Sequence, residues 1–425
     1  MKTLIKNGRI FINNEIKNED ILLNNDKVES IGHNLNGDNV QVIDAQNKLV
    51  TPGLVDVHVH FRDPGFTDKE TIHSGSEAAA HGGYTTVCAM PNVKPVPDTP
   101  EKVAHMCERN QKEAIVHVKQ YSSITQGRLS DVTLDYQALK EAGAIGFSND
   151  GNGIQSAATM MKAMAGIKQT GLPLAEHVED EDLKGKGVMN AGKAADRLHL
   201  PGMSDETETS QLARDLELAE KTGVHYHMCH VSTKRSVELI RNAKLRGINV
   251  TAEVTPHHLL LDESNIDYDN PNYKMNPPLR TYADRQALIG GLLDGTIDMI
   301  ATDHAPHTKA DKGSTMLTGA FGITGLETTF SLLYTHFVKP GYCSLAQLLQ
   351  WMSVNPAKIF NLKQAGAIEV GKPADLAIFD LNQEYSIAAK DMLSKGLNSP
   401  FIGQHVFGKT VMTIVDGKVV YQEAK

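Results

Sequence analysis

The sequence predicts an α/β protein: a (β/α)8 TIM-like barrel carrying a small composite β-sandwich domain formed by both chain ends. Three observations lead there. Eight apolar strand-like runs begin near Leu54, Tyr84, Ile115, Gly143, Leu172, Gly223, Ile248 and Ile297, mostly 25–31 residues apart, the repeat of one βα unit. Stretches with a period near 3.6 lie between them, such as residues 212–219 and 237–245, the second preceded by the capping candidates Ser232 and Thr233. The two ends have a different rhythm, with short apolar runs broken by turn signals.

The N-terminal part, residues 1–52, sets Leu4-Ile5, Ile10-Phe11-Ile12, Ile21-Leu22-Leu23 and residues 28–31 between turns such as Asn7-Gly8, which favours the positive φ of a tight hairpin. Residues 365–425 repeat the style with 374–379, 411–415, Asp416-Gly417 and 419–421. Neither end carries enough apolar residues for a core of its own, so the two are expected to pair into one domain around a barrel at 53–364. Two longer intervals, of 51 and 49 residues, place insertions after the fifth and seventh strands. An open doubly wound sheet is the alternative on the strand count; eight consecutive units favour the closed form.

Composition narrows the function. There are 42 Lys and Arg against 51 Asp and Glu, a net charge of −9, with no basic run, which argues against a nucleic-acid partner. The four Cys, at 88, 107, 229 and 343, are too scattered for a disulfide framework and suit a reducing compartment. The N-terminus turns polar before any signal-type stretch develops, and no run of about 18 apolar residues occurs, so a cytoplasmic protein without membrane contact is expected. Eighteen His against four Cys mean that a metal site would use imidazole and carboxylate, which favours zinc or a similar ion.

Alternation along Leu54-Val55-Asp56-Val57-His58-Val59-His60 puts His58 and His60 on one face at a strand's C-terminal end. Taken alone, the pair reads equally well as metal ligands or as satisfied interior groups. Other strands close in the same manner: the fifth on Glu176-His177, the sixth on Cys229-His230, the fourth on Asn149-Asp150 and the eighth on Thr302-Asp303. The C-terminal strand ends of a barrel converge on one face, so four His and two Asp meet there. Buried carboxylates need a cation, and two divalent ions sharing one carboxylate would satisfy them. Such a site keeps a positive balance suited to an anionic substrate. The same alternation sends His225 and His227 to the opposite face, against the outer helices or solvent.

These residues carry a family resemblance. The run from Pro52 to His60 resembles the amidohydrolase superfamily signature, and several further runs resemble its bacterial type I dihydroorotase group. They are Phe61-Arg62-Asp63-Pro64-Gly65, Thr85-Thr86-Val87-Cys88-Ala89-Met90-Pro91-Asn92, Met275-Asn276-Pro277-Pro278-Leu279-Arg280 and Ala301-Thr302-Asp303-His304-Ala305-Pro306-His307. The resemblance implies two zinc ions per chain, His58, His60 and Asp303 holding one, His177 and His230 the other, and Asp150 bridging both. It further implies that Arg62, Asn92 and His307 hold a substrate carboxylate, that Asn276 contacts the substrate ring, and that backbone at Phe321 and Gly322 completes the pocket. The implied activity is the reversible, zinc-dependent cyclisation of N-carbamoyl-L-aspartate to (S)-dihydroorotate in de novo pyrimidine biosynthesis, with Asp303 as proton shuttle. A homodimer follows from the resemblance alone, and association with another pyrimidine-pathway enzyme is left open.

Two departures stand out. Asp150 occupies the place where many amidohydrolases use a carbamylated Lys, and its shorter stem suggests that one metal is held weakly. Asp63 and Asn149 replace a common Glu and Asp. Blander readings cover the rest: Gly75, Gly82 and Gly83 as helix-end and turn positions, Cys88 and Cys229 as small buried hydrophobes, His257 and His258 as rim or packing residues, and 311–322 as a mobile loop over the pocket. The rival readings are a hydantoinase or allantoinase on the same barrel, and a scaffold without activity.

Overall fold

Eight parallel strands form the barrel of the computed structural model, which describes residues 2–37 and 39–423. They are Leu54–Val59, Tyr84–Ala89, His117–Ser122, Ala144–Phe147, Leu174–Glu176, Tyr226–Met228, Val250–Val254 and Met299–Ile300, hydrogen-bonded in sequence order. The first and eighth meet through a parallel bridge between Val59 and His304, and the His60 amide donates to the His304 carbonyl at 2.9 Å, so the ring closes beside the chemistry. Each expected strand is present within a few residues of its sequence-derived start.

The helices between them start where capping residues stop the strand-to-helix turn. Thr233 caps Lys234–Leu245 by accepting from the Ser236 amide, and Thr71 caps Ile72–His81 in the same manner. Each such cap contributes about 1 kcal/mol. Gly82 ends the second of these helices and Gly83 turns the chain at φ 87° into the next strand, where a side chain would strike the Phe379 ring. Gly75 lies instead inside that helix, where a Cβ would stand 2.5 Å from the Phe61 ring, so it is a close-packing position rather than a turn. The long interval after the fifth strand holds a two-stranded ribbon, Met189–Asn190 with Gly202–Met203, and the one after the seventh holds short helical turns ahead of Tyr282–Leu293.

Both ends build one continuous sheet. Strands Lys2–Ile12, Glu15–Asn24, Lys27–Gly32, Val40–Asp44 and Leu49–Pro52 from the N-terminal part join Leu376–Ser386, His405–Val415 and Lys418–Gln422 through the pairing of Leu49–Pro52 with Leu376–Phe379. Their shared core includes Ile5, Ile10, Ile21, Val50, Leu376, Ile378 and Ile414, from both ends, as the shortage of apolar residues in either end requires. Phe379 stacks on Phe330 at 3.8 Å and Thr413 donates to the Ala80 carbonyl at 2.6 Å, which docks the sheet on the outer helices. Residues 1 and 424–425, the outermost positions of the expected end segments, lie outside the described residues.

Inside the barrel, Cys88, Tyr121, Ala175, Cys229, Met299 and Ala301 form an apolar layer closed below by Phe360. The sixth strand corrects the expected alternation. His227 is fully buried within the barrel, 5.0 Å from the Phe360 ring and 3.1 Å from Glu253, and His225 bonds Thr251 beside it, whereas Tyr226 and Met228 pack outward against the helices. Reading back from His230 failed because that residue lies past the strand and its backbone turns to φ 32°.

Candidate active site and metal centre

The site forms where the first, fourth, fifth, sixth and eighth strands end. His58 lies in its strand, and His60, Asp150, His177, His230 and Asp303 follow just beyond theirs. Three residues here take left-handed backbone conformations: Arg62 at φ 60°, His230 at 32° and Asp303 at 48°. Such conformations cost about 1–3 kcal/mol each and persist only where the surroundings enforce them. Here they turn side chains into the barrel mouth where strand alternation would not.

Asp150 stands at the centre of the imidazoles. Its Oδ1 is 3.2 Å from His58 Nε2, 3.5 Å from His230 Nε2 and 3.8 Å from His177 Nδ1, and its Oδ2 is 3.3 Å from His60 Nε2. Asp303 Oδ1 lies 2.9 Å from His60 Nε2 and 3.4 Å from His58 Nε2. Two ligand groups result, His58 with His60 and Asp303, and His177 with His230 and Asp150, and the Asp150 carboxylate faces both. Cys229 Sγ also stands near His58 and Asp150, but burial pushes its thiol pKa well up, which keeps it a protonated apolar neighbour.

The residues fit a cation. His58 Nδ1 sits 2.6 Å from Glu253 Oε1, so the ring proton belongs on Nδ1 and Nε2 offers a lone pair to Asp150 Oδ1. Both of those buried atoms lack a hydrogen-bond partner. His60 repeats the arrangement, with Nδ1 donating to Asn92 Oδ1 at 2.8 Å and Nε2 turned on two carboxylates. Acceptors facing acceptors in a buried site are costly unless positive charge stands between them. Burial opposes charge on His58, yet Asp150 and Glu253 push its pKa well above the usual range, so the surrounding carboxylates favour positive charge at this position. Imidazole nitrogens with carboxylate oxygens are the donor set of a borderline divalent ion.

A pocket of about 190 Å³ opens over this cluster. It is lined by His60, Arg62, Asn92, Asp150, His177, His230, Asn276, Asp303, His307, Phe321 and Gly322, with Gly151, Lys184 and Ala305 completing the wall. Of the residues expected at the site, only His58 is absent from that wall, being fully buried. Larger clefts of about 520–560 Å³ open elsewhere; among the described residues the one further His/Asp group, His117 with Asp375 and Asp416, is partly exposed, and His117 and Asp416 edge one of these clefts.

One side of the pocket is cationic. Arg62 donates from Nε to the Pro306 carbonyl at 3.3 Å and keeps its charge, although burial lowers its pKa to about 10. His307 Nε2 lies 2.8 Å from the Phe321 carbonyl and its Nδ1 3.4 Å from Lys69 Nζ. Burial, with Arg62, Lys69 and Lys312 nearby, lowers the His307 pKa to about 3, so the neutral ring donates through Nε2. Asn92, fixed by His60, has its Nδ2 free for a ligand, and Asn276 donates to Glu179 Oε2 at 2.6 Å.

Sequence reasoning missed three of these positioning groups. Glu253 accepts from His58, from His227 and from the His230 amide at 3.3 Å. A carboxylate inside the apolar run Val250–Val254 was the available signal. Glu179 is buried between His177, Asn276 and Lys184, and Lys184 bonds it at 2.6 Å; nothing in local sequence marks either. The second departure, Asp63 and Asn149, is structural. Asp63 pairs with Arg109 at 2.8 Å, and Asn149 accepts from the Ile124 amide at 2.9 Å and donates to Thr125, bracing the loop after the third strand. His258 is a packing residue, bonded to Thr255 and the Pro277 carbonyl, and His257 is buried against it at 4.6 Å. The 311–322 segment is anchored rather than loose, because buried Lys312 donates to the carbonyls of Lys274, Ala320 and Gly322.

Comparison with known proteins agrees with this geometry. Residues 49–420 match the amidohydrolase family. Dihydroorotase from Pediococcus pentosaceus is 60% identical over 422 residues, spanning 99% of each chain, and dihydroorotase from Ligilactobacillus salivarius is 60% identical over 425 residues with the same coverage. Among solved structures, an L-hydantoinase (dihydropyrimidinase) from Arthrobacter aurescens superposes with a TM-score of 0.89 at 28% identity, covering 100% of this chain and 96% of that one. A dihydropyrimidinase from Brevibacillus agri reaches 0.86 at 23% identity, covering 99% and 95%, a likeness of fold alone.

Proposed function

Because the chain belongs to the amidohydrolase family and, within it, to the dihydroorotases, we propose that its barrel mouth interconverts N-carbamoyl-L-aspartate and (S)-dihydroorotate, a step of pyrimidine synthesis. The observation that carries this reading is the Asp150 carboxylate set among four imidazoles beside the cationic wall of Arg62 and its neighbours. A site with that polarity takes a small anionic ring.

His58, His60 and Asp303 would hold one zinc ion, His177 and His230 a second, with Asp150 shared. When bound, zinc supplies Lewis acidity, which makes water nucleophilic near neutral pH and polarises an amide carbonyl. The stem of Asp150, shorter than that of a carbamylated Lys, supports a second ion held more weakly than the first. Arg62 binds the substrate carboxylate through its planar fork, with Asn92 Nδ2 and His307 beside it. Asn276 orients the ring, and the Phe321 and Gly322 backbone closes the far side. Asp303 Oδ1 is engaged with His60, leaving Oδ2 to carry the proton. In ring opening, Asp303 takes a proton from the attacking water and delivers it to the leaving ring nitrogen as the amide C–N bond breaks; ring closure is the reverse. In the neutral His307 the Nε2 proton is fixed, so it orients rather than exchanges protons.

We assign the catalytic unit to residues 53–364, braced by 1–52 and 365–425. No helix among the described residues is long and apolar enough to cross a membrane, and a cytoplasmic homodimer is the working assignment. The test is steady-state turnover of dihydroorotate against hydantoin and allantoin. Preference for dihydroorotate by at least a hundredfold in kcat/KM is expected, and comparable turnover of hydantoin would move the chain to the rival activity.

A further inference from the structure

The C-terminal segment between strands Leu376–Ser386 and His405–Val415 leaves the end sheet and runs to the barrel mouth. Ile387 and Phe401 of this segment, with Val406 of the following strand, pack into one apolar cluster with Met275, Leu279, Met316 and Ile323, residues that flank the pocket loops. At its centre is Asn398, 4% exposed. Its Oδ1 accepts from the His307 amide at 3.0 Å, and its Nδ2 donates to the carbonyls of Ala305 and Gly322, both at 3.0 Å. Its own carbonyl accepts from the Thr324 amide at 3.0 Å. One side chain thus satisfies three backbone groups on two separate stretches of pocket wall, 305–307 and 322.

From this geometry we propose that Asn398 is a positioning residue for the substrate-carboxylate subsite, acting through His307 and the Gly322 backbone without touching substrate. The proposal rests on the dihydroorotase reading and names how its anion pocket is set. His307 donates from Nε2 to the Phe321 carbonyl, so its ring is placed from both sides: by Phe321 at the ring and by Asn398 at the amide. Gly322 sits at φ 127°, and a Cβ there would come within 2.7 Å of Ala305 and 3.3 Å of His307 Nε2, so the two stretches are held at the closest approach their backbones allow. Lys312 shares the Gly322 carbonyl at 3.0 Å but reaches neither Ala305 nor His307. Only a side chain with one acceptor and two donors bridges all three groups, which explains an amide at this position.

The consequence lies in binding rather than chemistry. Arg62, Asn92 and His307 address a carboxylate that does not react, so a displaced wall raises KM while the ligand cluster and Asp303 keep kcat. Two variants test this. Asn398→Ala removes all three bonds, and Asn398→Asp, of the same size, keeps the acceptor for His307 but sets a carboxylate against two carbonyls. Both are compared with Ser394→Ala, which cuts the bonds this segment makes to Glu70 and from the Gly396 amide but removes none of the three that Asn398 makes with the pocket wall.

For metal-loaded protein with dihydroorotate, KM is expected to rise at least tenfold in both Asn398 variants with kcat within threefold of wild type, and to stay within twofold in Ser394→Ala. An unchanged KM in folded Asn398→Asp, a fall in kcat alone, or an equal rise in Ser394→Ala would overturn the assignment. Should Asn398→Ala not fold, Asn398→Asp decides alone, with orotate binding followed by calorimetry as its second readout. Wild-type turnover in the same assay carries the functional reading separately, so an inactive wild type and insensitive variants are distinct results.

Discussion

Exchanging Glu253 for Gln isolates what a carboxylate behind the proposed metal cluster contributes. Its Oε1 is 2.6 Å from His58 Nδ1 and its Oε2 3.1 Å from His227 Nε2. In Glu253→Gln the amide oxygen still accepts from His58, and the new NH2 faces His227. His227 can adapt, because its Nδ1 is 2.8 Å from the Thr251 hydroxyl, so a proton on that nitrogen finds an acceptor while Nε2 receives the amide. The fold should therefore survive with its bond count intact. What is lost is the negative charge that keeps the His58 proton on Nδ1 and makes Nε2 a strong ligand. Removing a partner of this kind weakens metal affinity about 10–100-fold, which is about 1.4–2.8 kcal/mol. Zinc affinity measured by competition with a chromogenic chelator should fall within that range, and turnover should recover when zinc is raised to saturation. Wild-type zinc affinity in Glu253→Gln would refute the role assigned to this carboxylate.

Asp303→Asn should lower kcat by about 10²–10⁴-fold, the usual contribution of a general acid-base group, while metal analysis still finds bound zinc; near-normal turnover would remove Asp303 as proton carrier. Arg62→Lys keeps the charge but loses the planar fork, so KM for dihydroorotate should rise about 10–100-fold, given roughly 1.5–3 kcal/mol per charged hydrogen bond, with kcat little changed. Between barrel and end sheet, His117 Nε2 lies 3.1 Å from Asp375 and 3.7 Å from Asp416, and the bond to Asp375 raises its pKa above the usual 6.5 against burial and Lys119. Folding then gains from the protonated ring fully below about pH 6.5 and loses that gain as pH rises through the raised value. Thermal midpoints followed across that window should fall in the wild type and flatten in His117→Gln.

Much of this was legible because barrels impose a period. Apolar runs mostly 25–31 residues apart, with two longer intervals of 51 and 49, located all eight strands, and His58 and His60 stood out because alternation at a strand end is a local property. Convergence of strand ends did the rest, bringing Asp150, His177, His230 and Asp303 together from chain positions far apart. Alternation failed at His227 because the reading was carried back from His230, whose side chain enters the site through a left-handed turn beyond the strand. A backbone dihedral at one residue leaves no trace in polarity. Glu253 was hidden by its apolar neighbours, although a lone carboxylate in such a run signals a buried partner. Glu179, Lys184 and Asn398 answer to contacts made across the fold, and Asn398 meets His307 from 91 positions away. The end sheet was foreseen from a shortage of apolar residues, but its continuity through Leu49–Pro52 and Leu376–Phe379 depends on a register that only the fold supplies.

The most direct test of the central claim is to strip the protein with a chelator and titrate zinc back while following dihydroorotate ring opening and N-carbamoyl-L-aspartate ring closure. Both directions should be lost together and return together, with the rise continuing beyond one zinc per chain as the weaker ion binds. Turnover indifferent to zinc, or restored in one direction only, would contradict a shared metal cluster built on Asp150.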